Sequence, residues 1–193
     1  MMKVVAFNCS PRKDGNTAHM IRTVLGVLEA EGIRTEMVQV GGKDLHGCKA
    51  CLACKTNKDM KCAQKGDDLN VYVSKMVEAD GIIIGSPTYF GDITPEAKAL
   101  IDRSGYVTRT CGNPMKRKVG AAVVAARRAG AIHAFDSINH LFLINEMVVP
   151  GSSYWNLSLS QAPGDYEKDL EGVRIMEDLG RNMAWLIKSL GRV

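Results

Sequence analysis

The sequence has no apolar run approaching the roughly 18–20 residues that a bilayer-spanning helix needs, which excludes such a helix. Its amino-terminal apolar stretch, Val4 to Phe7, is too short for the core of a secretory signal and turns polar at once. Internal repeats and low-complexity tracts are absent, which excludes a solenoid, a fibre and a disordered chain. The excess of one charge sign is small, +4 over the chain, and does not by itself point to nucleic acid. Two phosphate-binding signatures are also missing. Without GxxxxGK[ST] there is no nucleoside-triphosphate loop, and without GxGxxG there is no dinucleotide fingerprint. These absences predict a soluble, cytoplasmic protein with no nucleic-acid and no membrane partner.

What is present fits one ordinary domain over residues 1–193. Hydrophobic residues make up 46% and charged residues 24%, so a core can form without disulfides or metal to staple it. The charge is uneven. Lys43 to Lys65 holds six lysines against Asp44 and Asp59, and Arg103 to Arg128 holds seven basic residues and no acid. The remainder is therefore net negative, and the two basic patches point to an anionic cofactor, cluster or partner.

Short apolar runs alternate with helical stripes along the chain. Strands are predicted at Val4–Phe7, Thr35–Val40, Ile82–Ile84, Val119–Ala125 and Met147–Val149. Helices are predicted over 17–30 with Asn16 as N-cap, over 67–78, from Pro95, over 132–142, and from about Tyr166. No hairpin signal joins the strands, so the pattern predicts a five-stranded parallel sheet covered by helices on both faces. Two segments exceed such a fold. Ordinary strand-to-helix connections run roughly 2–6 residues, yet Gly41 to Gly66 follows the second strand without apolar periodicity. Gly151 to Asp165 is a similar surface excursion, predicted to cover a ligand or a neighbouring subunit.

Three strand-to-helix loops carry the polar and backbone groups of a ligand site. The first, NCSPRKDGNT, ends the first strand and opens a helix, whose free N–H groups suit a phosphate; Ser10, Arg12, Asn16 and Thr17 add donors and charge. The second, GSPTYFGDITPEAK, offers a tight turn with Tyr89 and Phe90 beside it, suited to a planar aromatic ligand. The third, AARRAGAIH, contributes Arg127 and Arg128. In open parallel sheets, ligands bind beyond the carboxyl ends of the strands. Four of the six cysteines crowd into GCKACLACKTNKDMKC: Cys48, Cys51, Cys54 and Cys62. Read from spacing alone, this Cys-x2-Cys-x2-Cys-x7-Cys run admits an iron–sulfur cluster, a zinc site, a dithiol switch or unoccupied thiols. Cys9 reads as packing at a strand end, and Cys111 as a loop residue without a role.

Together the three loops resemble the NADPH-dependent FMN reductase branch of the flavodoxin-like proteins, over essentially the whole chain. The resemblance implies a flavodoxin-like open sheet, with the cysteine-rich loop 41–66 inserted after the second strand. It implies FMN, its phosphate held by Ser10, Arg12, Asn16 and Thr17. Its ring would be framed by Pro87, Thr88, Tyr89, Phe90 and Gly91. The third loop of that family is usually glycine-rich, and here it differs, leaving Arg127, Arg128 and Gly130 as its candidates. The cysteine motif resembles that of the iron–sulfur flavoproteins, a sub-branch, and so implies a [4Fe–4S] cluster on Cys48, Cys51, Cys54 and Cys62. The same resemblance implies an oxidoreductase taking electrons from a ferredoxin-like donor, through the cluster and FMN, to an acceptor such as oxygen, peroxide or a quinone. A homodimer or homotetramer is implied as well, and no side chain is expected to act as a catalytic acid or base. Two rivals stand beside it: an NAD(P)H-dependent FMN or quinone reductase without a cluster, and a flavin-binding sensor or carrier with a thiol switch.

Overall fold

The computed structural model describes residues 1–191. Five strands, β1 (Lys3–Asn8), β2 (Arg34–Gln39), β3 (Gly81–Pro87), β4 (Val119–Ala126) and β5 (Leu157–Leu159), form one parallel sheet in the order β2-β1-β3-β4-β5. That is the flavodoxin-like order, with its reversal between β1 and β3. The helices are α1 (Asn16–Ala30), α2 (Ala53–Asn57), α3 (Leu69–Glu78), α4 (Pro95–Thr110), α5 (Ala131–Ile144) and α6 (Leu170–Leu190). None among the described residues is long and apolar enough to cross a membrane.

The central strands are apolar through their middles, over Val4–Phe7, Ile82–Ile84 and Val119–Ala126, because both faces are covered. Val5, Phe7, Ile82, Ile84, Ala122 and Val124 point into a core shared with α3, α4 and α5. Their neighbours Val4, Ala6, Ile83, Ala121 and Val123 point the other way, against α1 and α6. Cβ atoms alternate along a strand, so a one-residue slip would exchange the two sets.

Three local expectations are corrected. The fifth strand is Leu157–Leu159 rather than Met147–Val149. Val148 does meet the edge of β4, accepting from Gly120 N at 2.9 Å and donating to Lys118 O at 2.9 Å. Pro150 then has no N–H to continue the ladder, and the chain leaves the edge and rejoins it at Val124–Ala126. Residues 155–160 do alternate apolar and polar, but in reverse: Asn156, Ser158 and Ser160 are buried while Trp155 and Leu159 are exposed. Ser158 donates its hydroxyl to Asp169, so the usual apolar-inward pattern did not announce the strand. The cap of α1 is Gly15, and Asn16 is the first helical residue. Finally, α6 starts at Leu170, because Asp165–Lys168 forms a separate turn of 3-10 helix and Asp169 caps α6 by accepting from Gly172 N. Inside the cysteine loop the structure adds α2, which no periodicity predicted.

Candidate functional site

The carboxyl ends of β1, β3 and β4 open on a cleft of about 230 Å³, lined by Ser10, Arg12, Thr17, Thr88, Arg127 and Ser160 among others. The first loop is built on a buried amide pair. Asn8 Nδ2 donates to Gln39 Oε1 at 2.7 Å, and Asn8 Oδ1 accepts from Ser10 N at 3.2 Å. Gln39 Nε2 in turn donates to the carbonyls of Ser10 and Gly41, both at 2.7 Å. The two strands approach so closely here that a Cβ on Gly41 would lie 2.2 Å from the carbonyl carbon of Ser10. Arg12 N donates to Ser10 Oγ at 3.2 Å and Gly15 N to Arg12 O at 3.1 Å, completing the turn. The result brings the start of α1 to the cleft, where the N–H groups of Asn16 and Thr17 precede the first intrahelical bonds and so have no helical acceptor.

The Asn16 side chain is committed elsewhere. Its Nδ2 donates to Ala162 O at 2.8 Å and its Oδ1 accepts from Gly164 N and Tyr166 N. It therefore ties the segment after β5 to the first loop, leaving chiefly its backbone N–H for a ligand.

The second loop is a tight turn. Tyr89 N and Asp92 N exchange bonds with each other's carbonyls at 2.7 and 3.0 Å. The turn's central residues, Phe90 and Gly91, have φ of 48° and 84°, a left-handed pair that strains phenylalanine but not glycine. Phe90 is fully exposed and Tyr89 about half so, which leaves two aromatic rings outside the core. Thr88 N donates to Ala125 O at 2.8 Å, binding this loop to the end of β4. Thr94 caps α4 by accepting from Ala97 N and donates its hydroxyl to Cys9 O at 2.9 Å, which fixes the loop to the first one. Gly130, with φ of 85°, brings the third loop against the second; a Cβ there would lie 2.9 Å from Gly91 Cα.

Of the sequence-predicted positions, Ser10, Arg12, Asn16, Thr17, Pro87, Thr88, Tyr89 and Arg127 line one cleft. Phe90 and Gly91 form its adjoining turn, Gly130 of the third loop packs against that turn, and Arg128 is exposed without lining the cleft. Gly15, Ala125, Ser160 and Gln161 also line the cleft and were not predicted. Ser160 and Gln161 could be found only once the strand before them was recognised. Two hydroxyls in the cleft, Thr88 Oγ1 and Ser160 Oγ, are buried and have no hydrogen-bond partner among the described residues. Buried polar atoms are ordinarily paired, so this pair fits a ligand that brings polar atoms of its own.

The cysteine loop lies beside α4. Cys48 and Cys51 are exposed, Cys54 and Cys62 half-buried, and none forms a disulfide. Each span between cysteines contains a left-handed non-glycine residue: Ala50, then Leu52, then Lys58 and Met60. Two sulfurs accept hydrogen bonds, Cys48 from Ala50 N at 3.4 Å and Cys62 from Arg103 Nη2 at 3.3 Å. Among the described residues, however, no three Cys, His, Asp or Glu side chains converge to hold a metal ion. The donor set thus fits an iron–sulfur cluster in kind, while the sulfurs do not form a ready-made cage. Cys9 is wholly buried, and burial pushes its thiol well above the ordinary range, in keeping with a packing role. Cys111 Sγ sits 3.9 Å from Cys54 O, next to the loop.

The sequence matches the model of the NADPH-dependent FMN reductase family over residues 2–162. It is 37% identical to an iron–sulfur flavoprotein of Methanocaldococcus jannaschii, over 97% of this chain and 98% of that protein. Among solved structures, it is similar to RosB with a bound formylated riboflavin phosphate intermediate (TM-score 0.75, 19% identity, 100% of this chain and 81% of that one). A flavodoxin from the domain Archaea superposes with a TM-score of 0.63 at 16% identity, over 97% of this chain and 99% of that one. At such identities the two structures establish the fold, and the family rests on the sequence matches. The chain belongs to the NADPH-dependent FMN reductase family and is a flavin-dependent oxidoreductase.

Proposed function

We propose that this chain is an FMN-binding iron–sulfur flavoprotein. In this reading it takes electrons one at a time from a ferredoxin-like donor and delivers them to a small acceptor such as oxygen, peroxide or a quinone. The observation that carries the flavin site is the pair of partnerless buried hydroxyls, Thr88 Oγ1 and Ser160 Oγ, in the cleft at the sheet's switch point. Anions favour helix N-termini, so the FMN phosphate belongs at the start of α1. There Ser10, Thr17 and the N–H groups of Asn16 and Thr17 donate, and Arg12 supplies charge. The turn Pro87–Gly91 frames the ring, with Tyr89 and Phe90 as its aromatic neighbours, and Arg127 closes the site from the third loop, which Gly130 packs against that turn. FMN, when bound, supplies one- and two-electron chemistry; the protein's part is to orient it and to hold its polar edge. Cys48, Cys51, Cys54 and Cys62 would hold the [4Fe–4S] cluster, which supplies single-electron transfer.

The same loop also favours a second reading. Because the four sulfurs do not converge, a reductase of FMN or a quinone that takes hydride from NAD(P)H without a cluster is the alternative. Anaerobic purification with measurement of flavin, iron, zinc and acid-labile sulfide separates the two. About one FMN with about four iron and four sulfide per chain supports the flavoprotein with a cluster. FMN without iron overturns it in favour of the hydride-using enzyme, and NAD(P)H oxidation becomes the assay.

A further inference from the structure

Arg103, on α4, is the largest side chain that folding withdraws almost wholly from solvent. It faces the cysteine loop and holds it at three points. Nη1 donates to His46 O at 3.0 Å and to Asp67, while Nη2 donates to Asp67 Oδ1 at 3.2 Å and to Cys62 Sγ at 3.3 Å. Asn70, on α3, grips the same cysteine from the other side. Its Oδ1 accepts from Cys62 N at 2.8 Å, and its Nδ2 donates to Cys62 O at 3.0 Å. Cys62 is therefore fixed at its N–H, its carbonyl and its sulfur, whereas Cys48 and Cys51 lie exposed on the loop.

A structural ion pair alone accounts poorly for this arrangement. Apolar residues pack α4 against α3 as well as a buried pair does, often with a gain in stability. Such residues could not donate to a sulfur. Arginine can, because its planar fork spans several acceptors with a charge that is never lost. We infer that Arg103 is a positioning residue for the cluster proposed on Cys48, Cys51, Cys54 and Cys62, an inference that rests on that reading. It holds Cys62 as the preformed corner onto which the other three thiolates close. It also favours the reduced state: reduction adds one electron, hence one negative charge, and the hydrogen bond from Arg103 to a ligand sulfur stabilises that charge, while Asp67 offsets the guanidinium's own charge. Hydrogen bonds to cluster sulfurs and nearby charge are general determinants of such potentials.

The test compares the full-length wild type with two variants, each reconstituted anaerobically with ferrous iron and sulfide. Arg103→Met with Asp67→Asn removes both charges and leaves no unpaired carboxylate. Arg103→Lys keeps the charge but cannot span the three acceptors. Iron, sulfide and FMN per chain are measured, and the cluster midpoint is tracked by electron paramagnetic resonance during titration with dithionite. In the double variant the midpoint is expected to fall by at least the equivalent of a tenfold change in the one-electron equilibrium, about 59 mV, with FMN content unchanged. Loss of half or more of the iron with FMN retained supports the same role, through the corner. Wild-type iron with an unmoved midpoint overturns it. If the double variant also loses FMN, and with it the fold, Arg103→Lys decides: a lower midpoint supports the inference and an unchanged one overturns it. A wild type that takes up no iron fails differently, since the cluster reading itself then falls and takes the inference with it.

Discussion

Thr88 shows what a single residue contributes on each side of binding. Its hydroxyl is buried and has no partner among the described residues, a state that costs about 1 kcal/mol or more. Thr88→Val removes the oxygen while nearly conserving shape, so FMN affinity should fall several-fold while the ligand-free protein melts at the same or a higher temperature. Fluorescence titration with FMN and thermal melts of the apoprotein read the two effects; affinity equal to wild type would remove Thr88 from the site. Asp67 makes a residue-scale prediction about pH. Burial pushes its carboxyl up, but hydrogen bonds from Arg103 and from Leu69 N–H outweigh burial and hold it below its ordinary value of 3.8. A folded-state pKa lower than the unfolded one contributes stability above the unfolded value, lost as pH falls through the folded one. Stability should therefore drop as pH falls below about 4, and the drop should shrink in Asp67→Asn. At neutral pH that variant should itself be less stable by about 3 kcal/mol, since it leaves Arg103 charged and unpaired. Denaturant unfolding at several pH values checks both.

At the scale of elements, the cysteine loop is separable from the sheet that carries it. Beyond Gly41, which bonds Asn8 and Gln39, its polar contacts run to α3, to α4 and to Cys111 at the end of α4, and Cys54, Met60 and Cys62 pack only on the margin of one core. Cys51 is exposed, so Cys51→Ser should abolish iron and sulfide while leaving FMN content and melting temperature at wild-type values. Full iron in that variant would show that Cys51 is not a ligand. The loops at the strand ends behave differently, because each is bonded to its neighbour: Thr94 to Cys9, Thr88 to Ala125, Gly130 against Gly91. They form one rigid rim, as preorganised binding requires. The segment 151–165 joins that rim through its bonds to Asn16 and through Ser160, so the excursion expected to cover a ligand or a neighbouring subunit supplies a wall of the cleft.

Across the whole molecule the charge is segregated, and all six lysines of the cysteine loop are exposed. A basic face over the proposed point of electron entry should speed encounter with an acidic carrier by electrostatic attraction, which salt screens. Stopped-flow reduction by a ferredoxin-like protein should slow at least several-fold between low and physiological ionic strength, while a neutral small-molecule reductant should show little dependence; equal dependence would dissociate the lysines from docking. By itself the sequence determined the parallel sheet, the two-sided core and the three loops at its carboxyl edge. Fully apolar strands, helical stripes and glycine-bearing turns are local signals, and each agrees with the global fold. It also determined the order and identity of the thiol donors. Only the tertiary structure decided that the fifth strand is interrupted at Pro150, that the Asn16 amide serves the protein rather than the cleft, and that Ser160 and Arg103 face the two sites. Those outcomes depend on juxtapositions such as Asn16 with Tyr166, Ser160 with Thr17 in one cleft, and Arg103 with Cys62, which join residues far apart in the chain and leave no periodicity or spacing to be read beforehand.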